Sequence, residues 1–235
     1  IELLDCAPWE QNVRPVGEAL FDNKILLAPA TPSKIVALAA NYEGATGRHE
    51  EDAEPVVFIK PGSSVIGPNG EILCPFKEVK VWGESELAIV VGCTLTKASA
   101  DQACAAIFGY TLANDVTAEN VSGRDHHLAR SKAADTFCPI GPWIETDFIP
   151  DRQLIQGWHN QVLLRESTLN QRVMKEVETL VWLSKWLTLE PGDIVLTGAP
   201  TRVRDRIFFK DGDTFTCRLE GLGELKNCFR QFDHL

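Results

Sequence analysis

Glu84 and Glu86 stand two apart in VWGESELAIVVG, residues 81–92. Strand side chains alternate between faces. In an extended chain Glu84, Glu86, Ala88 and Val90 therefore share one side, and Ser85, Leu87, Ile89 and Val91 the other. The second half is apolar on both sides, which predicts a strand covered on both faces. Two like charges entering a covered region require protonation, counter-charges or a cation. Oxygen ligands at i and i+2 can converge on one ion, and their type selects a hard one: Mg2+, with Mn2+ or Ca2+ as alternatives. The ordinary alternative is the solvated end of a half-exposed strand. Asp115 in GYTLANDVTAEN offers a third oxygen where a strand gives way to a loop. Its competing role is a helix N-cap, which Asn114 or Asp115 fills equally well.

Other segments carry reactive side chains. Lys132 heads KAADTFCPIGPW, and Lys60 ends the apolar run of FIKP. Thr197 and Gly198 form the turn of LTGAP, and NYEGATGRHEED holds Tyr42, His49 and Glu50. GRDHHLARSK gathers Arg124, His126, His127 and Arg130, a basic cluster in an acidic chain. Histidine is a residue type suited to proton transfer. Neighbouring histidines on a helix point to different sides, so at most one faces a common site. Asp125 and His126, with nearby serines, also raise a metal-free Ser/His/Asp hydrolase, but no GxSxG elbow is present.

These groups need elements to hold them. KIVALA and PVVFIK are short β-branched runs bounded by Asn, Gly or Pro and read as strands. The polar, acidic stretch between them reads as a surface loop or lid. PGSSVIGPNGEILCPF carries a PNG turn between apolar pieces and predicts a hairpin. SADQACAAIF predicts a short helix started by Ser99 or Asp101, followed by the strand GYTLAND. QRVMKEVETLVWLSKWL has the longest helical periodicity, and IVLTG after it is a strand. The tail DGDTFTCRLEGLGELKNCFRQF predicts a β-hairpin. The sum is an α+β chain dominated by strands, with weak βαβ alternation. Residues 1–33, irregular and Pro-punctuated, read as an extension packed on a main body spanning 34–235.

Composition narrows the class. The 235 residues suffice for one sizeable core. A formal net charge of -10 argues against a nucleic-acid or anionic-membrane surface. No apolar run approaches the roughly 20 residues of a membrane span. The start, IELLDCAPWEQ, lacks the layout of a signal peptide, so none is expected, and without Met the native start stays open. Seven scattered cysteines with no CxxC spacing predict reduced thiols in a cytoplasmic protein.

The ordered blocks FIKPGSSVIG, GESELAIVVG, GYTLANDVTAEN, KAADTFCPIGPW and LEPGDIVLTGAP resemble the fumarylacetoacetate hydrolase superfamily. The resemblance runs from about Lys34 to the C-terminus and includes the branches of diene-dioate isomerases, decarboxylases and acylpyruvate hydrolases. It implies a mixed β-roll or β-sandwich-like domain with a few short helices, usually a homodimer. It implies Mg2+ or Mn2+ on Glu84, Glu86 and Asp115, with Lys132 near metal and substrate. Lys60, Tyr42, Thr197 and Gly198 then become substrate-pocket candidates. The small-molecule partner implied is a 2-oxo or 1,3-dicarbonyl acid.

Three departures shape the expected reaction. Where the family's lid resembles NYxxHxxE, Ala45 and Arg48 replace the His and Glu, and His49 and Glu50 follow as substitutes. Glu119-Asn120 stands where an Arg-Asp pair is common. Arg124 and His126 lie in a basic cluster suited to a distal carboxylate. Without the usual water-activating dyad, decarboxylation or enol–keto isomerisation of an unsaturated 2-oxo diacid in aromatic catabolism is favoured. C–C hydrolysis of the acylpyruvate or fumarylpyruvate type is the alternative, and a metal-binding relative with little activity is a third.

Overall fold

The computed structural model describes residues 2–10, 12–20, 26–45 and 54–231. Two sheets dominate. The larger has seven strands in the order Val56–Pro61, Lys34–Ala39, Ile194–Leu196, Ser85–Val91, Ile107–Asn114, Cys138–Glu145 and Val65–Ile66. The smaller has five: Val162–Thr168, Leu154–His159, Thr214–Leu219, Gly223–Gln231 and Glu71–Cys74. The chain is thus α+β and strand-dominated, as its sequence predicts, and among the described residues its helices are short.

Ser85–Val91 is the middle strand of the large sheet, and all seven of its residues are buried. Its two faces feed two cores. Leu87, Ile89 and Val91 pack with Ile155, Phe215, Leu219 and Phe229 of the small sheet. Ala88 and Val90 join Ala37, Phe58, Ala113 and Cys138 on the opposite side. Trp9 and Ala28 of the first 33 residues pack against this second core, Trp9 meeting Phe108 edge-on at 5.6 Å. Glu2–Leu4 and Pro15–Glu18 pair as a small separate ribbon.

Helix α1, Ala100–Ala105, starts at Ser99 with a reciprocal capping box to Gln102. Helix α2, Ala129–Lys132, is a single turn. Helix α3, Glu176–Ser184, is shorter than the periodicity predicts, because Gln171–Lys175 do not join it. Asn41 claims that stretch instead: its Oδ1 accepts the Met174 N–H at 2.9 Å and its Nδ2 donates to Met174 O at 3.0 Å. The Val173 N–H donates to Asn41 O at 2.9 Å, so tertiary bonding overrides local propensity.

The PNG turn forms, with Asn69 at φ 62°, yet its flanking strands do not make a hairpin. Val65–Ile66 runs parallel to Cys138–Glu145 in the large sheet. Glu71–Cys74 runs parallel to Gly223–Gln231 in the small one. The turn therefore carries the chain from one sheet to the other. The C-terminal hairpin, Thr214–Leu219 with Gly223–Gln231, forms as expected. All seven cysteines are free thiols. Among the described residues no helix is long and apolar enough to cross a membrane.

Candidate active site

Glu84 ends the short segment before the central strand, and Glu86 is its second residue. The strand beside it, Ile107–Asn114, fixes the pair. Asn114 Oδ1 accepts the Glu84 N–H at 3.0 Å, and the Asp115 N–H donates to Glu84 O at 2.8 Å. Asn114-Asp115 is therefore a strand-end clamp; no helix follows, since Thr117–Ala118 pairs with Val81–Trp82. Gly83 lets the two sheets approach: an added Cβ there would meet the Phe215 ring at 2.6 Å and Asn114 Oδ1 at 2.8 Å.

Glu84, Glu86, Asp115 and Lys132 line one cavity of 520 Å3, within the roughly 300–1,000 Å3 typical of small-molecule sites. Lys132 Nζ pairs with Asp115 Oδ2, reaches Glu84 Oε2 at 3.3 Å, and donates to Thr117 Oγ1 at 2.7 Å. Helix α2 presents it there, and Asp125 secures that turn by accepting the Ser131 N–H at 2.6 Å and the Arg130 N–H at 3.2 Å.

The three carboxyls differ electrostatically. Burial opposes ionisation of Glu84, but the Arg165 guanidinium and the Lys132 ammonium outweigh it and bring the carboxyl down to about 2. Glu86 goes the other way: burial, then the neighbouring Asp115 charge, push it well above the ordinary range. Its Oε2 accepts the Gly198 N–H at 2.6 Å. Burial also works against the charge of Lys132, but Asp115 and Glu84 more than offset this and raise it above an ordinary lysine. Among the described residues no three His, Cys, Asp or Glu side chains are gathered, as they stand, into a cluster able to hold a metal. Lys132 and Arg165 draw Glu84 and Asp115 instead.

The other expected residues fall in different places. Lys60 is fully buried, pairs with Asp115 Oδ1 at 2.6 Å and donates to Val116 O at 3.1 Å, so it backs Asp115 and does not line the cavity. Thr197 is buried and bonded to Leu87 O at 2.9 Å; it holds the turn that aims the Gly198 N–H. Tyr42 is buried and bridges to Arg172, with Gly44 and Ala45 next to it at the cavity wall. Arg124 and His126 are exposed and not among the lining residues. His49 and Glu50 lie outside the described residues.

Sequence reasoning missed Arg165 and the TRVRDR stretch. Arg165 Nη2 pairs with Glu84 Oε1, while Nη1 donates to Pro200 O at 2.6 Å. Arg202, Arg204 and Arg206 also line the cavity. Three arginines within five residues, directly after the LTGAP turn, were the available signal.

Comparison with known proteins follows this geometry. A family model described as fumarylacetoacetate (FAA) hydrolase C-terminal matches residues 34–230. A mitochondrial oxaloacetate tautomerase from Bos taurus is 36% identical over 234 residues, covering 92% of this chain and 71% of its own. The 2-hydroxyhepta-2,4-diene-1,7-dioate isomerase from Mycobacterium marinum superposes with TM-score 0.83 at 32% identity, covering 99% of this chain and 88% of that one. Maleylpyruvate hydrolase from Sphingobium sp. SYK-6, solved with manganese(II) and pyruvate, gives TM-score 0.71 at 28% identity over 94% and 75% of the two chains. With the ordered motifs, the two-sheet fold and this match over most of its length, the chain belongs to the fumarylacetoacetate hydrolase family.

Proposed function

We propose that this chain is a divalent-metal-dependent enzyme that interconverts keto and enol forms of an unsaturated 2-oxo dicarboxylic acid, or decarboxylates one. The observation that carries the reading is the meeting of Glu84, Glu86, Asp115 and Lys132 in one cavity. Glu84, Glu86 and Asp115 would hold the ion, since carboxylate oxygens are the donors that Mg2+ or Mn2+ prefers. The raised Glu86 carboxyl supports the fit: it is a buried acid short of counter-charge, which a dication would supply. When bound, such an ion acts as a Lewis acid that polarises a 2-oxo group.

The protein groups do the rest. Lys132 keeps its proton in this surrounding, so it offers a fixed positive charge to the oxygen on which negative charge develops. Gly198 N–H and Asn114 orient Glu86 and Glu84 before substrate arrives, and Lys60 does the same for Asp115. Tyr42 and Thr197 support the cavity wall from behind. We assign the proton carrier to His49 or Glu50, which follow Gly44 and Ala45 of the wall in sequence. The tautomerase and isomerase relatives favour this class of reaction over C–C hydrolysis, which the same assay would detect. A homodimer is the assembly this reading carries, with light scattering as its check.

The test is turnover of 2-oxo diacids with isomerisation, CO2 release and C–C cleavage scored separately, with and without chelator. Glu84→Gln/Glu86→Gln is expected to lose both bound metal and activity. Undiminished turnover in that double variant, or in chelator, would sink the proposal.

A further inference from the structure

The chain carries a net charge of -10, yet one wall of the cavity is built from guanidinium groups. Arg165, Arg202, Arg204 and Arg206 line it together, with Asp205 as the acidic residue among them. Arg165 is taken by Glu84. Arg202, Arg204 and Arg206 make no ion pair among the described residues. Like charges gathered without counter-charges repel one another and stay only where something else holds them.

The main chain holds these. The Val203 N–H donates to Leu164 O at 2.9 Å, the Glu166 N–H donates to Thr201 O at 3.3 Å, and Arg165 bridges to Arg202. At the far end the Phe209 N–H donates to Val81 O at 2.8 Å. The segment is thus laid along the edge of the small sheet and fastened at both ends. Arg206 is fixed again by its guanidinium carbon, 3.7 Å from the Trp82 ring centre. Its Nε is buried with no hydrogen-bond partner, an orphaned donor next to the cavity. Burial, and the like charges of Arg202 and Arg165 against the pull of Glu84, make its charge harder to keep than that of an ordinary arginine. A carboxylate at this wall would supply the missing negative charge.

We propose that Arg202, Arg204 and Arg206 form the subsite for the second carboxylate of the substrate, and so make this enzyme selective for 2-oxo diacids over 2-oxo monoacids. The inference rests on the reading of Glu84, Glu86 and Asp115 as the end that takes the 2-oxo acid group. It moves the distal contact from Arg124 and His126, which lie outside the cavity lining, to the segment after the LTGAP turn.

The test uses two probes of equal chain length, 2-oxopentanedioate and 2-oxopentanoate, which differ only at the terminal carboxylate. Their affinities for the full, Mg2+-loaded chain are measured by calorimetry, so the readout does not need turnover. Wild type is expected to favour the diacid by about tenfold or more, and the preference to fall toward one in Arg202→Gln/Arg204→Gln. Both side chains are exposed, and Arg202→Lys/Arg204→Lys, which keeps the charge, is expected to recover part of the preference. A diacid preference unchanged in the glutamine variant, or absent in wild type, overturns the subsite. The chelator assay above, run on the same preparations, judges the catalytic reading separately. Chelator-sensitive turnover with an unchanged preference rejects the subsite alone. A preference that collapses in a chain without turnover supports the subsite and rejects the catalytic reading.

Discussion

The Gly198 N–H donates to Glu86 Oε2 at 2.6 Å, from a backbone with φ +94°. An added Cβ at Gly198 would stand 2.9 Å from Asn41 Cβ. Left-handed backbone disfavours any L side chain, and close approach adds a clash. Gly198→Ala is expected to destabilise the fold by about 1–3 kcal/mol and to misplace Glu86. Thermal unfolding and turnover measure the two effects; an unchanged midpoint with full activity would show that the turn tolerates a side chain.

Lys60 separates a structural role from a ligand-contact role. It is fully buried against Asp115 Oδ1 at 2.6 Å. Removing one partner of a buried ion pair costs about 3–5 kcal/mol where the other charge is left uncompensated, and less where a second cation remains. Lys60→Met is therefore expected to lower the denaturant midpoint clearly, with Lys132 left to hold Asp115 alone. Loss of substrate affinity with unchanged stability would return Lys60 to the cavity.

Glu84 and Glu86 give opposite pH signatures in chelator. Glu84 lies below its ordinary value of 4.5, at about 2. The unfolded chain takes up that proton first as pH falls, so this contribution is present above about 4.5 and is lost toward 2. Glu86 lies above 4.5, so the unfolded chain releases its proton first as pH rises. Stability then falls upward from about 4.5. Glu86→Gln removes the second effect alone. Its thermal midpoint relative to wild type is expected to rise between pH 4.5 and pH 8; a difference independent of pH would contradict this.

The thiols differ in accessibility and chemistry. Cys93 and Cys104 are exposed, whereas Cys74, Cys138 and Cys217 are buried. Burial pushes both Cys138 and Cys217 up to about 12, which leaves almost no thiolate near neutral pH. A colorimetric disulfide reagent at pH 8 is expected to titrate Cys93 and Cys104 fast and the three buried thiols only after unfolding. Rapid reaction of Cys138 or Cys217 in the native protein would contradict the packing.

The central strand was legible because period-two alternation is a local property. Glu86 sharing a face with Ala88 and Val90, opposite Leu87 and Ile89, follows from spacing alone. The helix start at Ser99, one of the two starts expected, and the C-terminal hairpin were legible because they too are local. What spacing could not give was pairing at long range. Lys60 ends a strand at a loop, as a ligand contact does, and only its neighbour in space, 55 residues away, reveals its part. Arg165 sits in VLLREST, where nothing in the pattern distinguishes it from a solvated strand residue, and its partner Glu84 is 81 residues away. The PNG turn was read correctly as a turn and wrongly as a hairpin, because a turn fixes direction but not which sheet receives the next strand. The long helical periodicity lost its first turns to Asn41, a residue no periodicity counts.

The segment from Thr201 to Val203 meets the edge strand Val162–Thr168 through main-chain hydrogen bonds. That strand would otherwise show open peptide groups to any passing chain, and the segment closes part of that seam. Backbone and side chains of one short stretch thus answer to different demands. Exchanging the side chains at positions 202 and 204 leaves the seam closed, so the charge of this wall can be rewritten without unpicking the sheet. On the proposed subsite, ligand preference in this chain is separable from its architecture.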